Sequence, residues 1–300
     1  MWQALLRRKV AAAIERAAVV LIPNDKAYPY DRLLEVAKRK GRPTVLLQEG
    51  IRFELPSRRY SRAYGAGGVS RIAAWGDESR KHFQGLGVAP ERIRVTGNPR
   101  LDSLVAKDWR APDENLPPLG DKPFVLLLTN PIDDQGYCTR EERLSLIRES
   151  LERLSTVCRS HGLRVLWKPH PREDLDTAQE AEPFLPEGTE RLRGTTALYP
   201  LLARSEAVVV LASSAGLEAT LLGIPVAALE IPGWGFAHDY VSSGLATPLA
   251  AGNDWASPIR DLLDSRGPNG AQNRRTYLEK TVRLGSSAQR VAELCKEAIQ

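Results

Sequence analysis

The stretch Glu206-Ala-Val-Val-Val-Leu-Ala-Ser-Ser-Ala-Gly-Leu-Glu-Ala-Thr-Leu-Leu-Gly-Ile-Pro-Val-Ala-Ala-Leu229 decides the fold. Glu206–Leu211 is apolar without alternation after its first residue, the mark of a strand covered on both faces. Ser213 and Ser214 then supply a small polar turn. Ser214–Leu222 has the composition of a short helix, which Gly223 and Pro225 end, and Pro225–Leu229 is again an unbroken apolar run. Strand, helix and strand in this order form a βαβ unit, and such units build parallel sheets.

Working outward, the same rhythm recurs. Phe124–Leu128 is a strand, Arg140–His161 a long helix, Arg164–Trp167 a strand and Thr196–Arg204 a helix; from Asn253 onward the tail is helical in two or three pieces. On the N-terminal side the spacing predicts a helix over Gln3–Arg16, a strand over Ala18–Ile22, a helix over Tyr30–Lys40 and a strand over Pro43–Leu47. Strands at Arg71–Trp75 and Arg92–Thr96 follow, with a helix over Glu78–Leu86 that Asp77 caps. Asp108–Lys122 carries Pro112, Pro117, Pro118 and Gly120 and reads as a linker. The expected division is therefore an N-terminal domain over 1–107, a linker over 108–122 and a C-terminal domain over 123–300.

Composition bounds the function. The chain has 300 residues, 42% of them hydrophobic and 26% charged, enough for two cored domains. A net charge of +5 suits an anionic ligand or an acidic membrane surface and falls short of a nucleic-acid signature. Cys138, Cys158 and Cys295 are scattered, with no Cys/His cluster, so neither a zinc site nor a disulfide framework is expected, and a reducing compartment is. No apolar run is long enough to span a bilayer. The expected location is cytoplasmic, with peripheral attachment to the inner membrane face through Trp2, Leu5 and Leu6 beside Arg7, Arg8 and Lys9, or else a helix packed on the first domain.

Ligands of parallel sheets bind outside the carboxyl ends of strands, so the candidate residues are read there. Lys168-Pro-His-Pro171 places a positive charge and a proline-framed imidazole, His170, at one such end, a phosphate donor or acid, with a surface turn around a satisfied histidine as the competing reading. Ser213, Ser214 and Gly216 open a helix at another, where free backbone N–H groups and the dipole favour phosphate, with Glu218 one turn in; an ordinary capped helix is the competing reading. In the first half, Glu49 follows the strand Pro43–Leu47 as a general-base candidate or a solvated carboxylate, and Gly97 and Asn98 follow Arg92–Thr96 as cleft candidates or a plain turn.

Five strings then carry a resemblance. They are Ile72-Ala-Ala-Trp-Gly-Asp-Glu-Ser79, Gly87-Val-Ala-Pro-Glu-Arg-Ile-Arg-Val-Thr-Gly-Asn-Pro-Arg-Leu-Asp102, Trp167-Lys-Pro-His-Pro171, Ala212-Ser-Ser-Ala-Gly-Leu-Glu-Ala-Thr-Leu-Leu-Gly-Ile-Pro225 and Ser286-Ser-Ala-Gln-Arg-Val-Ala292. In order and spacing they resemble glycosyltransferase-B proteins of bacterial envelope synthesis. The resemblance is to CDP-glycerol glycerophosphotransferase-like and capsule polysaccharide transferases, and more distantly to UDP-N-acetylglucosamine 2-epimerases. It implies an α/β fold of two Rossmann-like domains, here with a shortened N-terminal domain and a helical C-terminal tail. It implies a transferase moving a sugar or polyol-phosphate group from a nucleotide-activated donor to a polysaccharide or lipid-linked acceptor of the envelope or capsule, with no cofactor and no required metal. His170 and the Ser213–Ser214 helix start would hold the diphosphate, and Glu218 would lie at the ribose; in the transferase reading Lys168 joins them in receiving the leaving charge. Glu49 stands where capsule-type relatives carry the histidine of a Gln-His-Gly element. Two other readings stay open: a UDP-sugar epimerase, against which the sequence at 213–219 and after Ile231 departs from that pattern, and a truncated member that binds a nucleotide or a partner protein without catalysis.

Overall fold

A computed structural model of the chain describes residues 2–51, 64–114, 116–173, 184–264 and 268–300. It divides into two compact units. One gathers the described residues up to Ser103 together with Leu278–Gln300; the other comprises those of Leu104–Tyr277.

The first unit holds a parallel sheet of four strands in the order β1-β2-β3-β4: β1 Val20–Ile22, β2 Thr44–Leu47, β3 Arg71–Ala74 and β4 Ile93–Val95. Helices α1 (Trp2–Arg16), α2 (Tyr30–Arg39), α3 (Asp77–Gly85) and α4 (Pro99–Ala106) lie between or beside them in sequence. One sheet face buries Ile22, Leu46, Ile72 and Ala74 with Leu34 of α2 and Phe83 of α3. The alternate residues Val45 and Ala73 point the other way and pack against Val291 and Leu294 of the last helix, Ser287–Ile299. That contact corrects the expected domain boundary. Because β2 and β3 are apolar on both faces, the sheet needs a second cover, and the C-terminal helix supplies it. Burying a Val and a Leu is worth about 1.5–3 kcal/mol each. Asp77 is a second correction: Gly76 is the N-cap of α3, and the Asp77 carboxylate pairs with Arg80 at 2.9 Å.

The second unit is built on a six-stranded parallel sheet in the order β10-β9-β8-β5-β6-β7. Its strands are β5 Phe124–Leu128, β6 Arg164–Lys168, β7 Thr189–Arg191, β8 Ala207–Val210, β9 Val226–Leu229 and β10 Ala246–Leu249. Its helices are α5 (Arg140–Ser160), α6 (Leu198–Arg204), α7 (Ala215–Leu221), α8 (Ala256–Asp264) and α9 (Pro268–Thr281) as far as Tyr277; α10, Ser287–Ile299, belongs to the first unit. Thr139 opens α5 with a reciprocal capping box to Glu142. Strands β7 and β10 escape the sequence pattern for a physical reason. Both are sheet edges; β7 is Thr-Glu-Arg, and β10 carries Pro248, which an edge tolerates. The expected linker is not a free tether. Arg204, at the end of α6, donates to the carbonyls of Trp109, Arg110 and Ala111 at 2.7, 3.0 and 2.7 Å, and Arg110 Nε donates to Ala203 O at 3.0 Å.

Candidate functional site

Strand order locates the site. From β5 the chain proceeds to β6 and β7 on one side, then returns to β8, β9 and β10 on the other. The reversal lies between β5 and β8, and in a doubly wound sheet ligands occupy the crevice beyond the strand ends at that point. The segments there are Thr129-Asn130 after β5, Leu211–Ser214 after β8 and Pro169–Glu173 after the neighbouring β6. In the first unit the described strands run in one direction across the sheet, with no reversal.

The β6 loop is anchored by a buried polar network. Glu173, 1% exposed, accepts from the His170 backbone N–H at 2.8 Å and from the Thr129 hydroxyl at 2.9 Å through Oε2. Its Oε1 accepts from Arg143 at 2.8 Å, and Trp167 Nε1 donates to Thr129 Oγ1 at 3.1 Å. Arg143, on α5 and equally buried, also forms an ion pair with Asp133 at 2.9 Å, at an angle outside hydrogen-bond range. Burial raises the Glu173 carboxyl above its usual range, while the His170 N–H, Arg143 and Thr129 oppose the rise. Every hydrogen bond the carboxyl makes here is one it accepts, the pattern of the ionised form. None of Thr129, Arg143 and Glu173 was a candidate from sequence. A Glu three residues after a histidine is ordinary in a chain this rich in charge, and only the fold brings Arg143 to it.

His170 is half-buried, and its Nδ1 accepts from the Arg172 backbone N–H at 3.1 Å. A backbone amide can only donate, so Nδ1 is the acceptor and the neutral ring carries its proton on Nε2. Burial first, then Arg172 and Lys168, lowers the imidazole pKa. Lys168 departs from its expected part. It is 8% exposed, and its ammonium donates to Gly194 O at 2.6 Å, so it braces the loop after β7 against the His170–Pro171 backbone.

At the β8 end, Ala212 adopts φ +51°, a left-handed conformation that costs a non-glycine residue about 1 kcal/mol or more. Asn130 Nδ2 donates to the Ala212 carbonyl and ties the two strand ends together. The helix opening differs from a simple cap. Ser214 is the N-cap position without a side-chain cap bond, and Ser213 Oγ accepts from Ala215 N at 3.3 Å. The Ser214 hydroxyl makes no hydrogen bond among the described residues. The Cβ direction of Gly216 is filled by the protein itself. A Cβ there would lie 2.5 Å from Cε2 of Tyr240, a buried ring whose hydroxyl donates to the carbonyls of Ser213 and Ser214 at 3.4 and 3.3 Å. Burial keeps the Tyr240 phenol protonated, and Glu218, itself 4% exposed, lies near enough to add to that rise. His238 packs on the same ring, centroids 5.0 Å apart.

In the first unit Glu49 is exposed; it accepts from Asn24 Nδ2 at 2.5 Å, and its backbone N donates to the Tyr64 hydroxyl at 3.1 Å. Gly97 and Asn98 are engaged by other parts of the chain. Gly97 lies against the Arg283 carbonyl, and Asn98, 5% exposed, donates to Gln48 O at 3.1 Å and accepts from Arg100 N at 2.8 Å. Asp102 accepts from Gly285 N and Ser287 N, both at 2.7 Å, and Arg290 donates to Thr96 O at 2.8 Å. Two of the strings that carried the resemblance, 87–102 and 286–292, thus form a latch that holds the C-terminal helix to the first sheet.

Among solved structures, the chain is similar to a protein described as a UDP-N-acetylglucosamine 2-epimerase from Listeria monocytogenes, with a TM-score of 0.68 and 17% identity over 97% of this chain and 78% of that one. UDP-N-acetylglucosamine 2-epimerase from Neisseria meningitidis, bound to UDP-GlcNAc, matches at 0.63 and 16% over 96% and 81%. The wall teichoic acid polymerase TagF matches at 0.60 and 14% over 96% and 74% in one of its structures, and at 0.61 and 13% over 96% and 73% in another. The fold is the glycosyltransferase-B architecture. The model of the alpha-2,8-polysialyltransferase family matches residues 114–183, a span that contains β5, α5, β6 and the Thr129–Arg143–His170–Glu173 network. No curated protein matches the chain. Among the described residues, no helix is long and apolar enough to cross a membrane.

Proposed function

We propose that the protein is a glycosyltransferase-type enzyme that takes a nucleotide-linked donor at the β5/β8 reversal of its second unit. The observation that carries the reading is His170. Its Nδ1 is occupied by the Arg172 amide, its backbone is held by buried Glu173, and its Nε2–H has no partner among the described residues. The Ser214 hydroxyl, equally uncommitted, stands beyond β8. Strands β6 and β8 flank β5, so these donors sit at ends two strand spacings apart, roughly 10 Å. That span suits a nucleoside diphosphate, whose departing negative charge both groups can receive. The polysialyltransferase match over this region and the UDP-GlcNAc-bound neighbour support a nucleotide sugar as donor, and the TagF likeness supports an envelope polymer as acceptor. In this reading transfer needs no metal or other cofactor. Glu49 is the acceptor's base, and Glu218 serves the ribose side only if a ligand reaches past Tyr240. We place the protein in the cytoplasm, attached peripherally to the inner membrane face through the basic start of α1. Flotation with anionic vesicles should fall when residues 1–9 are removed, and equal flotation removes that attachment.

The test is a thermal-shift series with UDP, CDP, GDP and CMP. A nucleotide at 100 times its Kd stabilises the folded state by about 2.7 kcal/mol. One nucleotide class should raise Tm in the wild type and fail to do so in His170→Ala; equal shifts in both would remove the phosphate from His170. Epimerisation is the second reading, favoured by the epimerase neighbours. It requires breaking the C2–H bond of the sugar, so deuterium incorporation from D2O into UDP-GlcNAc, without an acceptor, would replace transfer as the activity.

A further inference from the structure

The turn that carries His170 is closed twice by one residue. Glu173 N donates to the His170 carbonyl at 2.8 Å, and the Glu173 carboxylate accepts from the His170 N–H at 2.8 Å. Pro171 occupies the second position of this four-residue turn, where its fixed φ fits. With both ends clamped, the third residue, Arg172, directs its amide at His170 Nδ1. The clamp is itself immobilised by Thr129 from the end of β5 and Arg143 from α5, both at most 3% exposed. A flipped ring would set a carbon where the amide hydrogen points, so the bond also fixes the ring's orientation.

We propose that Glu173 is the positioning residue of His170, holding the imidazole as its Nε2–H tautomer so that the histidine meets a phosphate as a hydrogen-bond donor. Arg143 and Thr129 act through Glu173. None of the three touches the ligand; their effect is on which nitrogen of His170 carries the proton and where it points. The part of the inference that concerns phosphate rests on the proposed donor site. The part that concerns the tautomer does not.

The experiment is 15N NMR of the imidazole nitrogens in the full-length protein without nucleotide, at a pH above the histidine range. The chain has four histidines, and a His170→Ala spectrum assigns the signal. The wild type should show a single tautomer with Nδ1 unprotonated; an Nδ1–H signal, or averaged shifts of a free imidazole, overturns the proposal. Glu173→Gln keeps the size and one acceptor oxygen but removes the charge opposite Arg143. It should move the shifts toward the averaged values and weaken UDP and CDP binding about tenfold, the loss of one hydrogen bond to a charged group. Glu173→Asp should recover part of both. Should Glu173→Gln fail to fold, Thr129→Val cuts the network at another point and should shift the signal the same way by less. A folded variant of either kind with the wild-type tautomer pattern would reduce Glu173 to a structural role. A locked tautomer in a protein that binds neither nucleotide leaves the positioning intact and removes the donor site instead.

Discussion

Gly97→Ala separates the two readings of the Thr96-Gly97-Asn98 turn. The glycine has φ +75°, and a Cβ there would lie 1.9 Å from the Arg283 carbonyl oxygen and 2.4 Å from Ser287 Oγ. The left-handed φ costs alanine about 1–2 kcal/mol. The overlap is with backbone, which cannot swing aside, and overpacking of this kind costs about 1–3 kcal/mol more. The sum is roughly 2–5 kcal/mol, or about 5–20 °C in Tm. Gly87→Ala is the internal control: φ is +81°, yet a Cβ there meets nothing within 4 Å, so only the backbone cost of about 1–2 kcal/mol applies. Urea unfolding of both variants, with limited proteolysis of the 278–300 segment, measures the difference. Gly97→Ala should loosen that segment and leave nucleotide affinity of the folded fraction unchanged. Equal stability of the two alanine variants would refute the latch, and a selective loss of nucleotide affinity would return Gly97 to the ligand site.

Gly216→Ala should destabilise the second unit by about 1–3 kcal/mol through the Tyr240 ring; a double-mutant cycle with Tyr240→Leu should show coupling, and strict additivity would refute the contact. Protonation of His170 should weaken nucleotide binding. Its Nδ1 accepts from the Arg172 amide, so a second proton breaks that bond, and the lowered pKa keeps the ring neutral until the pH falls below the usual imidazole range; calorimetry across pH 5–8 should show affinity lost only toward the acid end, more in wild type than in His170→Ala, and a wild-type affinity that rises as pH falls would refute the neutral-donor role. Glu49→Gln should lower turnover on the order of 100- to 10,000-fold while leaving nucleotide binding nearly unchanged; wild-type turnover would end its role as base.

The alternation of unbroken apolar runs with amphipathic ones was enough to call both parallel sheets, because buried parallel strands must be apolar on both faces whatever their neighbours. His170 drew notice in the sequence for a local reason: two prolines and a lysine frame a histidine at a strand end, with a surface turn around a satisfied histidine as the competing reading. Strand order was not legible, since local sequence does not encode which strands become neighbours, and that order alone marks the β5/β8 reversal as the candidate crevice and brings Asn130 beside Ala212 there. The same limit explains Gly97, Asn98, Gly216 and Lys168. Each reads in sequence as a residue at a strand end or helix start, and each is engaged by a partner distant in the chain: Arg283, Gln48, Tyr240 and Gly194. It also explains why the C-terminal helix, predicted as part of the second domain, belongs to the first. Its apolar stripe is plain in the sequence, but an amphipathic stripe says only that something must cover it; which surface does so is decided by the unpaired apolar face of β2 and β3.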